Sequence, residues 1–262
     1  MTLTLALCAA GYGVAVGALL PRTVLRLAVP REQRRTVRCP AGHPLPSSWR
    51  GWVGPARCAR CGSCDSPTDT DNSTDNSTGT GAHGPGTAGL VSTGAVVCAA
   101  LAASVGPRPE LAVWLLVAPF GLLLAAVDIR VSRLPDVLTL PLAAATLALL
   151  GVASTLPGAD GSWVRALLGG AVLPGSYFVL FLVHPSGFGF GDVKLALFVG
   201  VALGWYGWQT LFAGAFLGFL LHATYGLGLI LAGRAGRKTA LPFGPFMLLG
   251  AALLVMLAGA DV

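Results

Sequence analysis

The chain has 262 residues, of which 11% are charged and 54% hydrophobic, and it carries a net charge of +6. Soluble domains hold roughly 25% charged residues, so the composition, with a mean hydropathy of +0.73, excludes an ordinary soluble domain and points to a membrane-embedded helical chain. The basic excess does not indicate a nucleic-acid partner, because the positions of the Lys and Arg residues follow membrane topology.

The first apolar run covers residues 3–20, close to the length of about 20 residues needed to span a bilayer. Its basic cluster follows it instead of preceding it, which favours a retained helix with its N-terminus outside over a signal peptide. Arg22, Arg26, Arg31, Arg34, Arg35 and Arg38 come next. They lead into a cysteine cluster at Cys39, Cys58, Cys61 and Cys64. A tract over residues 65–87, rich in Ser, Thr, Asp, Asn and Gly, has too little apolar surface to build a core and reads as a flexible linker.

Seven further apolar runs cover about 88–106, 110–127, 136–155, 164–183, 194–207, 208–232 and 241–260. The expected fold is an all-α polytopic membrane protein of about eight transmembrane helices. Its divisions are a first helix (1–21), a cytoplasmic basic and Cys-rich insert (22–64), the linker (65–87) and a seven-helix core (88–262). With the N-terminus outside, the cytoplasmic loops hold Arg22 to Arg60, Arg130, Arg133, Lys194, Arg234, Arg237 and Lys238, whereas the outer loops hold Arg108 and Arg165. This asymmetry is the positive-inside bias. It places a multi-pass protein in the plasma (inner) membrane, in contact with lipid.

The same topology leaves three carboxylates beside hydrocarbon at cytoplasmic helix ends: Asp128, Asp136 and Asp192. A charge near the bilayer core costs at least ~2.5 kcal/mol, so it marks function. Asp136 follows Pro135 and reads as a helix N-cap. Asp128 closes its run, at a helix C-terminus where the dipole disfavours an anion. Asp192 ends the glycine-rich stretch Gly187-Phe188-Gly189-Phe190-Gly191-Asp192, in which Gly189 and Gly191 admit unusual φ/ψ and close backbone approach. Two carboxyls brought together cannot both ionise cheaply; they share a proton and can activate a water between them. That is aspartic-protease chemistry, and it needs no metal or cofactor. The bland alternative pairs Asp192 with Lys194 and Asp128 with Arg130 at the interface. A competing functional class is an ion- or proton-coupled transporter using Asp128 and Asp192 as a relay; that class shows repeated broken helices, and only one such break occurs here. A third is a membrane scaffold whose metal module binds partners.

Three motifs bear on this choice. Gly189-Phe190-Gly191-Asp192 resembles the GxGD motif of membrane aspartyl proteases. The longer run from Gly187 to Leu195, the stretch from Asp128 to Pro141 and Leu241-Pro242-Phe243-Gly244-Pro245-Phe246 together resemble the type IV prepilin peptidase (leader peptidase) family, in the family's order. The resemblance implies a membrane aspartic endopeptidase that removes the leader of type IV prepilins or pseudopilins at the cytoplasmic face. It makes Asp128 and Asp192 the catalytic pair, supported by the loop glycines Gly189 and Gly191, with Lys194 as an interface or substrate-orienting charge.

Cys58-Ala59-Arg60-Cys61 is a CxxC pair, with Cys64 at the next step and Cys39-Pro40-Ala41-Gly42-His43 upstream. The cluster reads as a metal site or a disulfide pair; Cys39, Cys58 and Cys61, with His43 or Cys64 as the fourth ligand, would make a structural zinc set whose metal supplies the folding energy of a small insert, against the alternative of a metal-free remnant. Bifunctional prepilin peptidases carry a similar domain with two CxxC pairs, associated with N-methylation from S-adenosylmethionine; here the first pair lacks its second cysteine. Cys8 and Cys98, in apolar runs, read as small buried hydrophobes. His184 reads as a surface or capping residue at a helix end, His222 as buried and satisfied, and His83 as part of the linker.

Overall fold

Hydrocarbon offers no water to main-chain N–H and C=O groups, so a spanning segment must close its hydrogen bonds within itself. The computed structural model describes residues 2–28, 52–54, 86–132, 134–184, 189–234, 236 and 241–261. Among the described residues the chain forms nine helices and no strand: α1 (Thr2–Leu19), α2 (Pro21–Leu27), α3 (Thr87–Val105), α4 (Pro109–Val131), α5 (Asp136–Ala153), α6 (Trp163–Val183), α7 (Phe190–Tyr206), α8 (Trp208–Leu231) and α9 (Gly244–Ala260). Six of them, α1, α3, α4, α5, α6 and α8, are long and apolar enough to cross a membrane. The chain is therefore a multi-pass helical membrane protein. Helices α7 and α9 have 17 residues each, about 25 Å of axial rise. The apolar runs of the sequence thus coincide with these helices, and the remaining one, α2, was not foreseen.

Local chemistry sets the ends. Pro109 opens α4, where a missing N–H costs nothing, and Glu110 sits in the first turn with the dipole in its favour. At the other end Ser132 adopts the left-handed conformation (φ 48°) and donates its N–H to the Asp128 carbonyl at 2.7 Å. Gly207, at φ 139°, alone separates α7 from α8; a side chain there would be strained.

Helix α7 is the centre of the bundle and packs against α5, α6, α8 and α9. Its closest neighbour is α6, and glycines make that contact possible. A Cβ at Gly204 would stand 2.6 Å from the Arg165 carbonyl oxygen, and one at Gly200 would collide with the Gly169 carbonyl. Gly13, Gly17 and Gly94 do the same between α1 and α3. Between lipid-facing helices there is little hydrophobic drive, so close backbone approach at small residues supplies the packing.

Helix α2 turns the chain back on the bundle. Thr23 Oγ1 donates to the Trp52 carbonyl at 2.6 Å, Arg22 N–H to the Gly54 carbonyl at 3.1 Å, and the Arg26 guanidinium lies 4.8 Å over the Trp52 ring. Val24, fully buried, joins Leu90, Leu123, Ala126 and Val127, so α2 braces α4 beside Asp128. A seven-residue helix carries no spanning-length apolar signal, which is why it escapes a search for apolar runs.

Two expectations about single residues change. Cys98 is buried, as expected, but Cys8 is exposed on the bundle surface. His222 is half-buried, edge-on to the rings of Phe243 and Phe246 at 5.3 Å each, and its Nδ1 has no hydrogen-bond partner among the described residues. His184 is the exposed residue that ends α6.

Candidate active site

Each carboxylate of the site is set by the helix that bears it. Asp128 lies one turn inside the C-terminal end of α4 and is 4% exposed. Asp192 lies in the first turn of α7, not in a loop ahead of it, because α7 begins at Phe190 rather than at residue 194. The helix starts early because Gly189 and Asp192 close the cap between them. The Asp192 N–H donates to the Gly189 carbonyl at 3.0 Å, and the Gly189 N–H donates to Asp192 Oδ2 at 3.3 Å. An anion in a first helical turn also gains from the dipole.

Helix direction brings these two turns to the same end of the bundle: α4 arrives there and α7 departs. Contacts from three other segments close the space between them. Leu134, in the turn after α4, approaches Gly191. Lys194 Nζ forms an ion pair with Asp136 Oδ2 at 2.6 Å, tying the first turn of α7 to that of α5. Gly244, the first residue of α9, stands against both Asp128 and Leu195. Its N–H donates to Asp128 Oδ2 at 3.0 Å in a buried hydrogen bond. Through Gly244 and Leu195, Asp128 stands beside the start of α7, whose first turn carries Asp192.

The partners differ from those the interface reading required. Lys194 pairs with Asp136, and it also lies 4.9 Å over the Phe190 ring. Among the described residues neither Asp128 nor Asp192 has an ion pair. Asp136 is not the N-cap of α5: Pro135 occupies that position and no side chain caps the helix. One residue into the helix, the Asp136 carboxylate finds Lys194 across the gap instead. Each dyad carboxylate thus holds one main-chain N–H on Oδ2, and its Oδ1 accepts no hydrogen bond among the described residues.

The glycines serve differently from the expectation. Gly189 has φ −80° and ψ 138°, an extended conformation open to any residue. The tight contact there is with the carboxylate: a Cβ would lie 3.2 Å from Asp192 Oδ2, which would have to give by a few tenths of an ångström. At Gly191 an added Cβ would meet Leu134 Cβ at 3.5 Å, an ordinary contact. Gly187 and Phe188 lie outside the described residues. So do Cys39, His43, Cys58, Cys61 and Cys64, and the zinc reading rests on the sequence.

Behind Gly244 stands an aromatic group that the sequence did not single out. The Phe243 ring lies 6.0 Å from Tyr177, 5.0 Å from Phe219 and 5.3 Å from His222. Tyr177 and Phe243 are buried. Offset and tilted ring pairs of this kind add about 0.5–1.5 kcal/mol each beyond area burial. They anchor the segment that delivers the Gly244 N–H. The signal for it was the Leu241-to-Phe246 motif, whose spacing in sequence does not show what its backbone touches.

The fold and site define a class: a multi-pass helical membrane protein with two carboxylates, neither ion-paired among the described residues, at one end of the bundle. A family profile described as the type IV leader peptidase family matches residues 115–260, which include both aspartates and all three motifs. The chain belongs to that family. It is 35% identical over 135 residues to the prepilin leader peptidase/N-methyltransferase of Aeromonas salmonicida, an alignment covering 51% of this chain and 43% of the relative. The protein of the same name from Escherichia coli (strain K12) is 33% identical over 135 residues, 50% of this chain and 56% of the relative. The leader peptidase HopD of Salmonella typhimurium is 32% identical over 133 residues, 50% of this chain and 83% of the relative. The chain thus aligns over about half the length, or less, of the bifunctional relatives. No solved structure matches it.

Proposed function

We propose that this protein is a membrane aspartic endopeptidase that removes the leader peptide of type IV prepilins or pseudopilins. One observation carries the reading. Asp128 and Asp192 stand at one end of the bundle with no ion pair to either among the described residues, while the nearby Lys194 is paired with Asp136. An interface pair would be neutralised; a proton-sharing pair must not be.

In this reading the two Oδ1 atoms face a water between them. One carboxylate takes its proton as the peptide carbonyl is attacked, and the protonated partner polarises that carbonyl. A tetrahedral intermediate forms, and the partner's proton then goes to the leaving amine. An exposed apolar flank, including Phe216, Leu220 and Leu227 of α8, suits a substrate whose own helix stays in lipid. The positive-inside arrangement supports eight spans with the active end on the cytoplasmic side of the plasma membrane.

Prepilin-like peptide incubated with purified protein tests this. Cleavage by the parent and its loss in both Asp128→Asn and Asp192→Asn, with the fold intact, is the expected outcome; undiminished cleavage in either variant removes the dyad.

The insert extends the proposal. Cys39, Cys58 and Cys61, with His43 or Cys64, would hold structural zinc, and proteolysis uses none of it. Zinc content that falls in Cys58→Ser supports this; a parent without zinc ends it. N-methylation appears in the relatives' names. Transfer of a labelled methyl group from S-adenosylmethionine to the cleaved product decides whether this chain shares it.

A further inference from the structure

We propose that the main-chain N–H of Gly244 is a positioning group of the peptidase: it clamps Oδ2 of Asp128 so that Oδ1 alone is presented to Asp192. The proposal rests on the aspartic-peptidase reading and adds a residue to it.

Three observations carry it. First, the hydrogen bond from Gly244 N–H to Asp128 Oδ2 is 3.0 Å long, buried, and joins residues 116 apart in the chain. A buried carboxylate with one donor on one oxygen has a defined orientation, and a charge-assisted bond is among the stronger kinds. Second, Gly244 occupies N1 of α9, where the N–H has no intrahelical partner. This donor is therefore spent on the carboxylate at no cost to the helix. Third, the absence of a side chain matters at this point. A Cβ on residue 244 would lie 2.7 Å from Asp128 Oδ2 and 3.4 Å from Leu195 Cδ2. The only close obstacle is the movable end of the Asp128 side chain. The helix would accept a methyl group; the carboxylate would have to turn away.

The arrangement at Asp192 has the same form. Gly189 donates its N–H to Oδ2, and its missing side chain leaves the carboxylate room. The two clamps come from different directions. Gly189 belongs to the cap of Asp192's own helix, whereas Gly244 belongs to another helix altogether. Aligning α9 is therefore part of assembling the dyad, and the ring cluster around Phe243 keeps that segment in place.

Another tight glycine of α9, Gly250, supplies the contrast. A Cβ at Gly250 would meet the main chain of α8, at 2.8 Å from the Gly214 oxygen and 2.8 Å from the Gly218 nitrogen. Backbone cannot step aside as a carboxylate can. Gly250→Ala should lower the melting temperature in detergent, with kcat per folded molecule near the parent's. Gly244→Ala should do the reverse: a melting temperature near the parent's, KM within about twofold, and kcat down about 100-fold, the loss expected for a catalytic group displaced by about 1 Å.

The experiment measures cleavage of a prepilin-like peptide and thermal unfolding for the full-length parent, Gly244→Ala, Gly250→Ala and an amide-to-ester replacement of the bond preceding residue 244. The ester removes the N–H and adds no atom to the side chain; a kcat loss of about tenfold is expected. Parental kcat in Gly244→Ala overturns the proposal. Should Gly244→Ala fail to fold, the ester decides: reduced kcat supports the clamp and parental kcat refutes it. Asp128→Asn and Asp192→Asn in the same series keep the two readings apart. If both are inactive and the ester variant is fully active, the dyad stands and the clamp falls.

Discussion

The two ends of the bundle differ in where their cations go. At the end where α4 starts, Arg108 pairs with Asp160 at 2.8 Å and also donates to the Gly259 carbonyl at 3.0 Å. The fully buried Glu110 accepts the Asp160 N–H through Oε1 at 3.5 Å, and Trp114 donates to the Tyr206 hydroxyl at 3.0 Å. Ser162 N–H reaches the Trp205 carbonyl at 3.0 Å. Arg108 and Asp160 are paired there, Glu110 Oε2 has no partner among the described residues, and these contacts tie α4, α7, α9 and the turn before α6 together. At the other end, among the described residues, Asp128 and Asp192 each have one main-chain donor and no ion pair, and Lys194 goes to a third acid, Asp136. Carboxylates without an ion pair are costly to stability beside hydrocarbon, so the proposed peptidase chemistry gives a reason for Asp128 and Asp192, whereas the Arg108–Asp160 pair opposite serves assembly.

That contrast can be broken most severely at the dyad. Asp128→Asn and Asp192→Asn should each lower cleavage by roughly a thousandfold, within the range for a lost acid–base group, while the melting temperature holds or rises. A melting temperature that drops sharply would mean these acids hold the fold together.

The opposite half should answer in stability. Gly204→Ala places a methyl 2.6 Å from the Arg165 carbonyl and 3.1 Å from Gly169 Cα, where backbone must move. A cost of about 1–3 kcal/mol is expected, read as an earlier thermal transition with unchanged turnover per folded enzyme. Arg108→Ala removes a partly exposed ion pair and one hydrogen bond; about 1 kcal/mol is expected, again with kcat unaffected. A large kcat loss in either would show that the two ends are coupled.

The smallest effect sharpens the comparison. Asp136 has 59% of its side chain exposed, and Lys194 has 20%. Asp136→Asn should change stability by less than about 1 kcal/mol. The freed Lys194 is two positions from Asp192 on α7, a spacing that does not bring helical side chains together. Cleavage by this variant should therefore stay near the parent's. A steep fall would show that Asp136 keeps Lys194 away from the dyad.

How much of this was legible beforehand depends on the range of the interaction. Apolar runs gave the long helices, because one apolar stretch in lipid has only the helix available to it. The division between α7 and α8 was readable only from the aromatic cluster Trp205-Tyr206-Gly207-Trp208, typical of a membrane interface. The start of α7 was not: Phe190-Gly191-Asp192 has no apolar signal, and the cap that recruits these residues depends on where one carboxylate turns. Asp136 looked like a cap because only its own chain neighbours are visible in sequence; its partner Lys194 arrives from another helix. The exposure of Cys8 likewise depends on which face of α1 meets α3.

Order and composition therefore decided that the chain is helical and where its long apolar helices run, since each of those follows from a segment and its solvent. Which oxygen of Asp128 is held, that Gly244 holds it, and that Lys194 is kept by Asp136 were decided only by packing. Those facts join residues up to 116 positions apart, and nothing local in the chain specifies which distant backbone will come within 3 Å of a given carboxylate.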